Sequence, residues 1–552
     1  MNSTHESQNA PDAPGIAFPS LTEEQLAEIQ AIGEVVEFSS GDSLITHGER
    51  GYSFFAIRQG EVRIVEECEA GDTLIATLGP GTFTGDVDML TGRSAVTSTI
   101  AVGSVEAYRL DPASLRRLLA ISHKVGEILL DTFQARRELL DTSEFVGVQL
   151  VGEKDRQKTT RMREFLYKNH VPHTFTEAKS DDGQELLSCL DASNLALPIV
   201  RCNRRTFGDP TLFEIAECIG ITRDVGDELF DLVVIGAGPA GLSASVYAAS
   251  EGVKTLVIDS VGPGGQAASS SRIENFVGFP SGLSGSELAN RGYLQALKFG
   301  AQFIAPVSVQ SVHTTQSQEH QLRLSTGGVV RARSLLVVSG MTYRQLDIPD
   351  YRRFLGAGVY YAATAVEARQ CEKSTCVVVG GGNSAGQAAM FLVKSVKAVK
   401  LVVRGGDVRK SMSEYLSTRI LHHPDIEVLT DSVVTAVEGD TAVDRIEVTN
   451  TQTRETQHVT CGALFVFIGA RPHTDWLPAS VALDDGGFVL TGASVAAHPL
   501  WQLERAPHEL ETTTPGIMAG GDVRSGTTKR CGFAVGDGSL AVTCVNRYLR
   551  GS

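Results

Sequence analysis

Apolar and polar positions alternate in short runs from about residue 20 to 110, as in VVEFSSGDSLITHGERGYSFFAIRQGEVRIVEE, with Gly41, Gly48, Gly51 and Gly60 as punctuation. A period of two between glycines predicts short strands, here an all-β roll. The period then lengthens. DPASLRRLLAISHKVGEILLDTFQARRELLD has apolar residues at helical spacing behind an Asp-Pro start, which predicts one or two helices reaching about residue 141. Residues 146–222 predict strand, helix, strand, strand, helix: FVGVQLVG, DRQKTTRMREFLYKNH, HTFTEA, ALPIVRC and PTLFEIAECIG. The acidic DVGDE then leads to a third region in which strands and helices alternate. It begins FDLVVIGAGPAGLSASVYAASEGVKTLVIDS and restarts at STCVVVGGGNSAGQAAMFLVKSVKAVKLVVRGG, the pattern of two doubly wound α/β units.

A chain of 552 residues exceeds one domain, and a prior of roughly 100 to 200 residues per domain gives about three to five. The formal charge of −16, with no dense basic run, argues against nucleic acid and anionic membrane as partners. The start, MNSTHESQNAPDAPGIAF, lacks a basic segment followed by an apolar core, and no later apolar run reaches the length of a membrane span. Residues 1–19 are therefore expected to be a short disordered tail on a soluble, cytoplasmic protein. The nine cysteines form no CxxC and no metal-ligand spacing, which fits reduced thiols in a reducing compartment and gives no metal site.

Two glycine loops carry the chemistry. Gly236, Gly238 and Gly241, with Pro239 and Ala240 between them, follow the buried strand LVVI and open a small-residue helix, and the next strand ends in Asp259. Glycines there allow a tight turn and close approach of a pyrophosphate to the helix N-terminus, while the acid can bind ribose hydroxyls. The second loop has Gly380, Gly382, Asn383, Ser384 and Ala385 after CVVV, and its following strand ends in Arg404 in place of an acid. A cation there suits a ribose 2′-phosphate, with Arg409 or Lys410 as helpers, so NADPH is expected over NADH; a merely solvated Arg404 is the plainer alternative.

On these residues the stretch 229–552 resembles the low-molecular-weight thioredoxin reductases, FAD and NADPH enzymes whose NADPH module is inserted into the FAD module. The resemblance implies two Rossmann-like domains, an FAD domain from 229–341 and 480–552 and an NADPH domain from 342–479. It implies FAD contacts at PGGQ (Gly264, Gly265, Gln266), at IENFVGFP (Glu274, Asn275) and at GIMAGGDVRSG (Gly521, Asp522). It also implies that the helix beginning near Lys529, Arg530 and Cys531 faces the flavin pyrimidine ring, where a positive helix end stabilises negative charge. A homodimer through the FAD module follows from the same resemblance. One segment departs from the pattern. Where the family carries Cys-Ala-Thr-Cys-Asp after a GVxY turn, this chain reads GVYY, then Ala362, Ala363, Thr364, Ala365 and Val366. Both thiols and the acid that disulfide reduction needs are absent. Cys531 is the alternative thiol.

Residues 146–222 resemble a thioredoxin-like domain, with Pro198 of LPIV at the family's cis-proline and GEKDRQ where its CxxC stands. Cys202 is expected to have no partner nearby, and a docking or spacer role follows. Residues 20–141 resemble the cyclic-nucleotide-binding domains, β-rolls with flanking helices. In the cassette FTGDVDMLTGRSAVTS, the amides at Gly85 and Val87 with Arg93 and Ser94 would hold a cyclic phosphate and Asp86 a ribose 2′-OH. Asp86 replaces the family's Glu, leaving the choice of cyclic AMP or cyclic GMP open, beside a ligand-free structural roll. The expected activity is hydride transfer from NADPH to FAD and electron delivery to oxygen, a quinone or a protein acceptor, regulated by cyclic nucleotide. A cofactor-loaded switch without turnover, and a disulfide reductase using Cys531, are the alternatives.

Overall fold

The structure is a computed structural model that describes residues 15–551, apart from 68–71, 143–146, 155, 204, 223–224, 271–272, 274–275, 350, 356, 362 and 364. In the amino-terminal region the strands Glu34–Phe38, Ser98–Leu110, Phe54–Glu66 and Thr73–Leu78 lie side by side in that order, all antiparallel, and Ser43–Ile45 also pairs with Ser98–Leu110. The roll is not wholly β. Thr22 and Gln25 form a capping box that starts the helix Glu23–Gln30, and a single turn, Asp88–Thr91, stands inside the cassette. Two helices follow, Pro112–Ile121 and His123–Thr142, parted at Ser122. Phe54, Phe83 and Phe133 fill the core between roll and helices.

Ile16, Ala17 and Phe18, which the sequence placed in a tail, are held against the protein. Thr132 Oγ1 donates to the Ile16 carbonyl at 3.0 Å and Arg136 Nε to the Ala17 carbonyl at 2.8 Å, which lays Ile16–Phe18 along the long helix.

Residues 148–219 form a four-stranded sheet in the order His173–Glu177, Val148–Gly152, Ile199–Cys202, Arg205–Gly208, the first pair parallel and the others antiparallel. One helix beyond the expected order appears, Asp181–Cys189. Ser180 caps it through the Gly183 amide, and Asp181 and Asp182 suit its positive first turn; its interior glycine and polar content hid the apolar period. The Leu197–Pro198 peptide is cis.

In the first α/β unit the strands Gln302–Ile304, Thr255–Ile258, Leu229–Ile235, Val329–Val337 and Ile517–Ala519 are parallel. They are nearly continuous apolar runs because helices cover the sheet. The simple alternation fails at Val309–Thr314, His320–Leu324 and Val329–Val337, an antiparallel meander, and at a second one in the inserted unit, Ser432–Glu438, Arg445–Asn450 and Thr456–Thr460. The inserted unit carries a five-stranded parallel sheet ordered Val359–Tyr360, Ala463–Val466, Thr375–Val379, Ala398–Val402, Ile426–Leu429. Its way in and its way out are the paired antiparallel strands Met341–Tyr343 and Ala470–Pro472. The unit ends sooner than 479, since Trp476 is buried with Phe230, Ile235 and Val337 of the first unit.

The regions share cores. Leu242, Ala289, Tyr293, Leu294 and Leu297 of the first α/β unit belong to the apolar cluster of the roll.

Candidate functional site

The first glycine loop is built by steric necessity. A Cβ on Gly236, at φ 112°, would lie 2.4 Å from the Val338 carbonyl oxygen, and one on Gly241 would lie 1.9 Å from the Gly236 oxygen. Only glycine permits this strand-to-helix turn. Gly238 caps the helix Pro239–Ser250 without a side-chain bond, so the first amides are offered outward. It faces open space, with only Gly265 Cα, 3.9 Å away, near the place of a side chain. The PGGQ glycines therefore back directly onto this loop. A dinucleotide pyrophosphate fits this cradle.

Asp259 is held beside it, accepting from Ala237 N at 2.8 Å, Val261 N at 2.8 Å and Gly262 N at 2.9 Å. Gln266 Nε2 donates to Met341 O at 3.0 Å, in the connector to the inserted unit. Gly264, at φ 101°, leaves room for Ala268 and Ala289. Asn275 and Glu274 lie outside the described residues.

The carboxy-terminal motif joins the same cradle. Gly521, with φ 65°, donates through its amide to Asp537 Oδ2 at 2.9 Å, and Arg524 grips both Asp537 oxygens. A Cβ on Gly538 would lie 2.2 Å from the Ala240 oxygen, so the helix Cys531–Gly551 packs backbone-close on Pro239–Ser250. Burial raises the Asp522 carboxyl, and Lys529 Nζ donates to the Asp522 carbonyl. Arg530 O accepts the Ala534 amide at 3.0 Å and begins that helix. Cys531 sits at its first residue, where burial and Asp522 push the thiol up to about 11.

The second loop repeats the design. Gly380, at φ 142°, passes 2.3 Å from the Phe467 oxygen at its Cβ position, and Gly382 caps Asn383–Leu392 without a side-chain bond. Asn383 Oδ1 accepts Ser413 N at 2.7 Å, Ala385 is fully buried, and Ser384 stands in the first turn. Arg404, just past Ala398–Val402, and Arg409 and Lys410, in the turn Val408–Lys410, are exposed. Arg409 reaches Asp407; among the described residues neither Arg404 nor Lys410 has an ion-pair partner.

In the roll, a cavity of about 60 Å³ is lined by Phe18, Tyr52, Gly85, Asp86, Ala95 and Arg136, among others. Asp86 accepts from the Tyr52 hydroxyl at 3.0 Å and Arg137 Nη2 at 2.7 Å, and Arg137 also holds Asp88. Burial, then the Asp88 carboxylate, push Asp86 up, with Arg137 opposing. The structure brings Gly85 and Asp86 to the cavity wall but not Val87, Arg93 or Ser94. Arg93 turns away, and its Nη1 donates to the Asn169 carbonyl at 2.7 Å and lies 3.8 Å from Asp88. The physical reason is charge: the buried guanidinium finds an acid and a carbonyl outside the cavity.

Residues 230–538 match the family described as pyridine nucleotide-disulphide oxidoreductase. The chain belongs to that family. Residues 35–122 match the cyclic nucleotide-binding domain. Among curated proteins, the thioredoxin reductase of Treponema pallidum is 32% identical over 58% of this chain and 97% of its own length. Among solved structures, the Lactococcus lactis thioredoxin reductase in its FR conformation superposes with TM-score 0.52 at 25% identity, covering 58% of this chain and 100% of that one. The T. acidophilum thioredoxin reductase gives 0.52 at 27%, covering 59% and 99%. The oxidoreductase is thus of the NAD(P)H-dependent FAD class, with a cyclic nucleotide-binding domain at its amino end.

In the segment that stands where the resembling family carries its thiols, Ala363 is buried and Ala365 opens the helix Ala365–Gln370, while Ala362 and Thr364 lie outside the described residues. The expectation for Cys202 is corrected. Cys218 Sγ donates to the Cys202 carbonyl at 3.3 Å, because the helix Leu212–Ile219 folds back onto the strand Ile199–Cys202. Sequence reasoning missed Arg136 and Arg137, although both occupy the apolar face set by Phe133 and Leu140, an anomaly that points to buried partners. It also missed Asn169, for which the sequence offers no signal.

Proposed function

We propose that this flavoprotein passes reducing equivalents from NADPH to FAD and on to an acceptor other than a dithiol of its own, under control of a cyclic nucleotide bound by the roll. One observation carries the reading: both glycine turns are formed, at Gly236–Gly241 and Gly380–Ala385, while the intervening segment reads Ala-Ala-Thr-Ala-Val. Bound FAD supplies the hydride-accepting ring system, and NADPH the hydride. The chain's own residues bind and orient. The amides behind Gly238 receive one pyrophosphate and Asp259 the adjoining ribose, while those behind Gly382 receive the coenzyme's. Arg404 and Lys410, free of ion pairs among the described residues, suit a 2′-phosphate.

Cys531 does not replace the missing pair, since a thiol held near 11 is protonated at neutral pH. The middle region takes a docking or spacer role. Its thioredoxin-like reading is supported by the order strand, helix, strand, helix, strand, strand, helix, and the turn after its first strand holds Glu153 paired with Arg156 and Lys179 in place of a thiol. A homodimer and a cytoplasmic setting belong to the same proposal.

The test is anaerobic stopped-flow absorbance of the flavin mixed with NADPH or NADH, then steady-state NADPH oxidation with oxygen, a quinone or a disulfide as acceptor. Rapid flavin bleaching by NADPH, with turnover on oxygen or quinone and none on disulfide, is expected. No bleaching by either coenzyme would sink the reductase reading and leave a switch without turnover.

A further inference from the structure

Arg93 is the cation of the cassette segment, yet it stands at a junction of three regions. Its Nη1 donates to the Asn169 carbonyl at 2.7 Å, Asp88 lies 3.8 Å away, and the side chain meets the Tyr293 hydroxyl on the helix Gly285–Lys298 of the first α/β unit. It is 3% exposed. The neighbouring backbone is tied to the same place. Ser94 N donates to Ile219 O at 3.2 Å, Arg50 donates to the Glu217 carbonyl, and a Cβ on Gly220 would lie 3.3 Å from Arg93 Cα. The cassette is thus fastened to the ends of two helices of the middle region, Gln157–Lys168 and Leu212–Ile219.

Asn169 faces two ways. While its carbonyl holds Arg93, its side-chain Nδ2 donates to Val261 O at 2.8 Å, and a side chain on Gly262 would meet it at 2.7 Å. Its Oδ1 is buried without a hydrogen-bond partner. Val261 and Gly262 are the residues whose amides hold Asp259, and Asp259 holds Ala237 of the first glycine loop. A single asparagine therefore stands between the roll's arginine and the loop that cradles the dinucleotide.

The cavity supplies the conflict. A volume of about 60 Å³ holds a few waters, at roughly 10–15 Å³ of such volume each. Phe18 and, from the long helix, Arg136, Leu139 and Leu140 line it. The cation on its wall, Arg136, already donates to the Ala17, Gly85 and Phe83 carbonyls, and Arg137 is engaged by Asp86 and Asp88. An entering phosphate must recruit a guanidinium, and Arg93 is two residues from Ala95 on the wall.

We propose that Arg93 is a latch shared between ligand and protein: held by Asn169 and Asp88 when the roll is empty, it is taken by the anionic ligand and frees the Asn169 turn from the Val261 loop. This rests on the reading that the roll takes a cyclic nucleotide. The ligand and the Asn169 carbonyl compete for one group, which is the differential affinity a coupling requires.

The full chain loaded with FAD is examined by hydrogen–deuterium exchange at 166–172 and 259–264, alone and with cyclic AMP, cyclic GMP or 5′-AMP, beside calorimetric binding of each. A bound cyclic nucleotide is expected to raise exchange roughly tenfold or more at both segments. Arg93→Gln is expected to show the raised exchange without nucleotide and no further change on adding it. Asn169→Ala keeps the backbone carbonyl, so nucleotide still loosens 166–172 but no longer alters 259–264. Calorimetric binding with unchanged exchange at 166–172 overturns the latch, as does wild-type protection in ligand-free Arg93→Gln. Absence of binding for both cyclic nucleotides overturns the ligand reading and the ligand-driven release with it. Flavin bleaching by NADPH, read separately, shows whether the oxidoreductase reading stands.

Discussion

Arg404→Ala tests the coenzyme site where charge alone is removed. The residue is exposed just past the strand Ala398–Val402. Two unit charges at 4 Å attract by about 1 kcal/mol in bulk water and about 4 kcal/mol at the dielectric of a protein surface. An exposed guanidinium that remains partly solvated beside a phosphate falls between these, at about 2 kcal/mol, or about 30-fold at 1.4 kcal/mol per decade. The variant is therefore expected to raise the apparent KM for NADPH about 30-fold and to leave that for NADH unchanged. Anaerobic flavin bleaching over a range of each coenzyme reads both. The difference shrinks as salt rises, because the Debye length is about 8 Å at physiological ionic strength. Equal losses for the two coenzymes, or no loss for either, would refute the assignment of Arg404 to a 2′-phosphate.

Arg137→Met leaves Asp86 and Asp88 buried without their shared cation, so the roll should lose about 3–5 kcal/mol, read as a lowered urea midpoint in pulse proteolysis of residues 20–141; an unchanged midpoint contradicts the pairing. Cys531→Ser should alter neither flavin bleaching nor NADPH oxidation, and alkylation of Cys531 in the parent chain should climb with pH until about 11; fast alkylation at pH 7 contradicts the buried-thiol assignment. Burial holds His320 to about 4, against 6.5 in an unfolded chain, so between those values the unfolded state binds more protons. Stability is then fully present above pH 6.5 and declines toward pH 4 by on the order of 3 kcal/mol, a slope that His320→Asn should flatten in urea titrations at each pH.

The parts of the molecule dictated by local chemistry were legible in the chain. Gly236, Gly241 and Gly380 are required by carbonyl oxygens a few ångströms from their Cβ positions, and such backbone demands leave a fixed residue type behind. The meander at Val309–Val337 was not legible, because short alternating strands between helices carry no mark of direction. The helix Asp181–Cys189 was hidden by its polar face and glycine. The cassette shows the limit most plainly. Its sequence suggests that Arg93 enters the cavity, but what decides its orientation is Asn169, 76 positions away, whose contribution is a backbone carbonyl that any residue would supply.

The paired strands Met341–Tyr343 and Ala470–Pro472 place the two ends of the inserted unit opposite each other, Tyr343 against Ala470. Opposed residues on antiparallel strands stand only about 4.5–5.5 Å apart, a gap that a tight turn spans. The unit is thus a module hung on a hairpin stem, and residues 344–469 could be exchanged for two turn residues without stretching the host sheet. Among the described residues, Gln266 of the flavin cradle reaches that stem through the Met341 carbonyl. A chain shortened in this way that still binds FAD would show that the two halves answer to separate constraints.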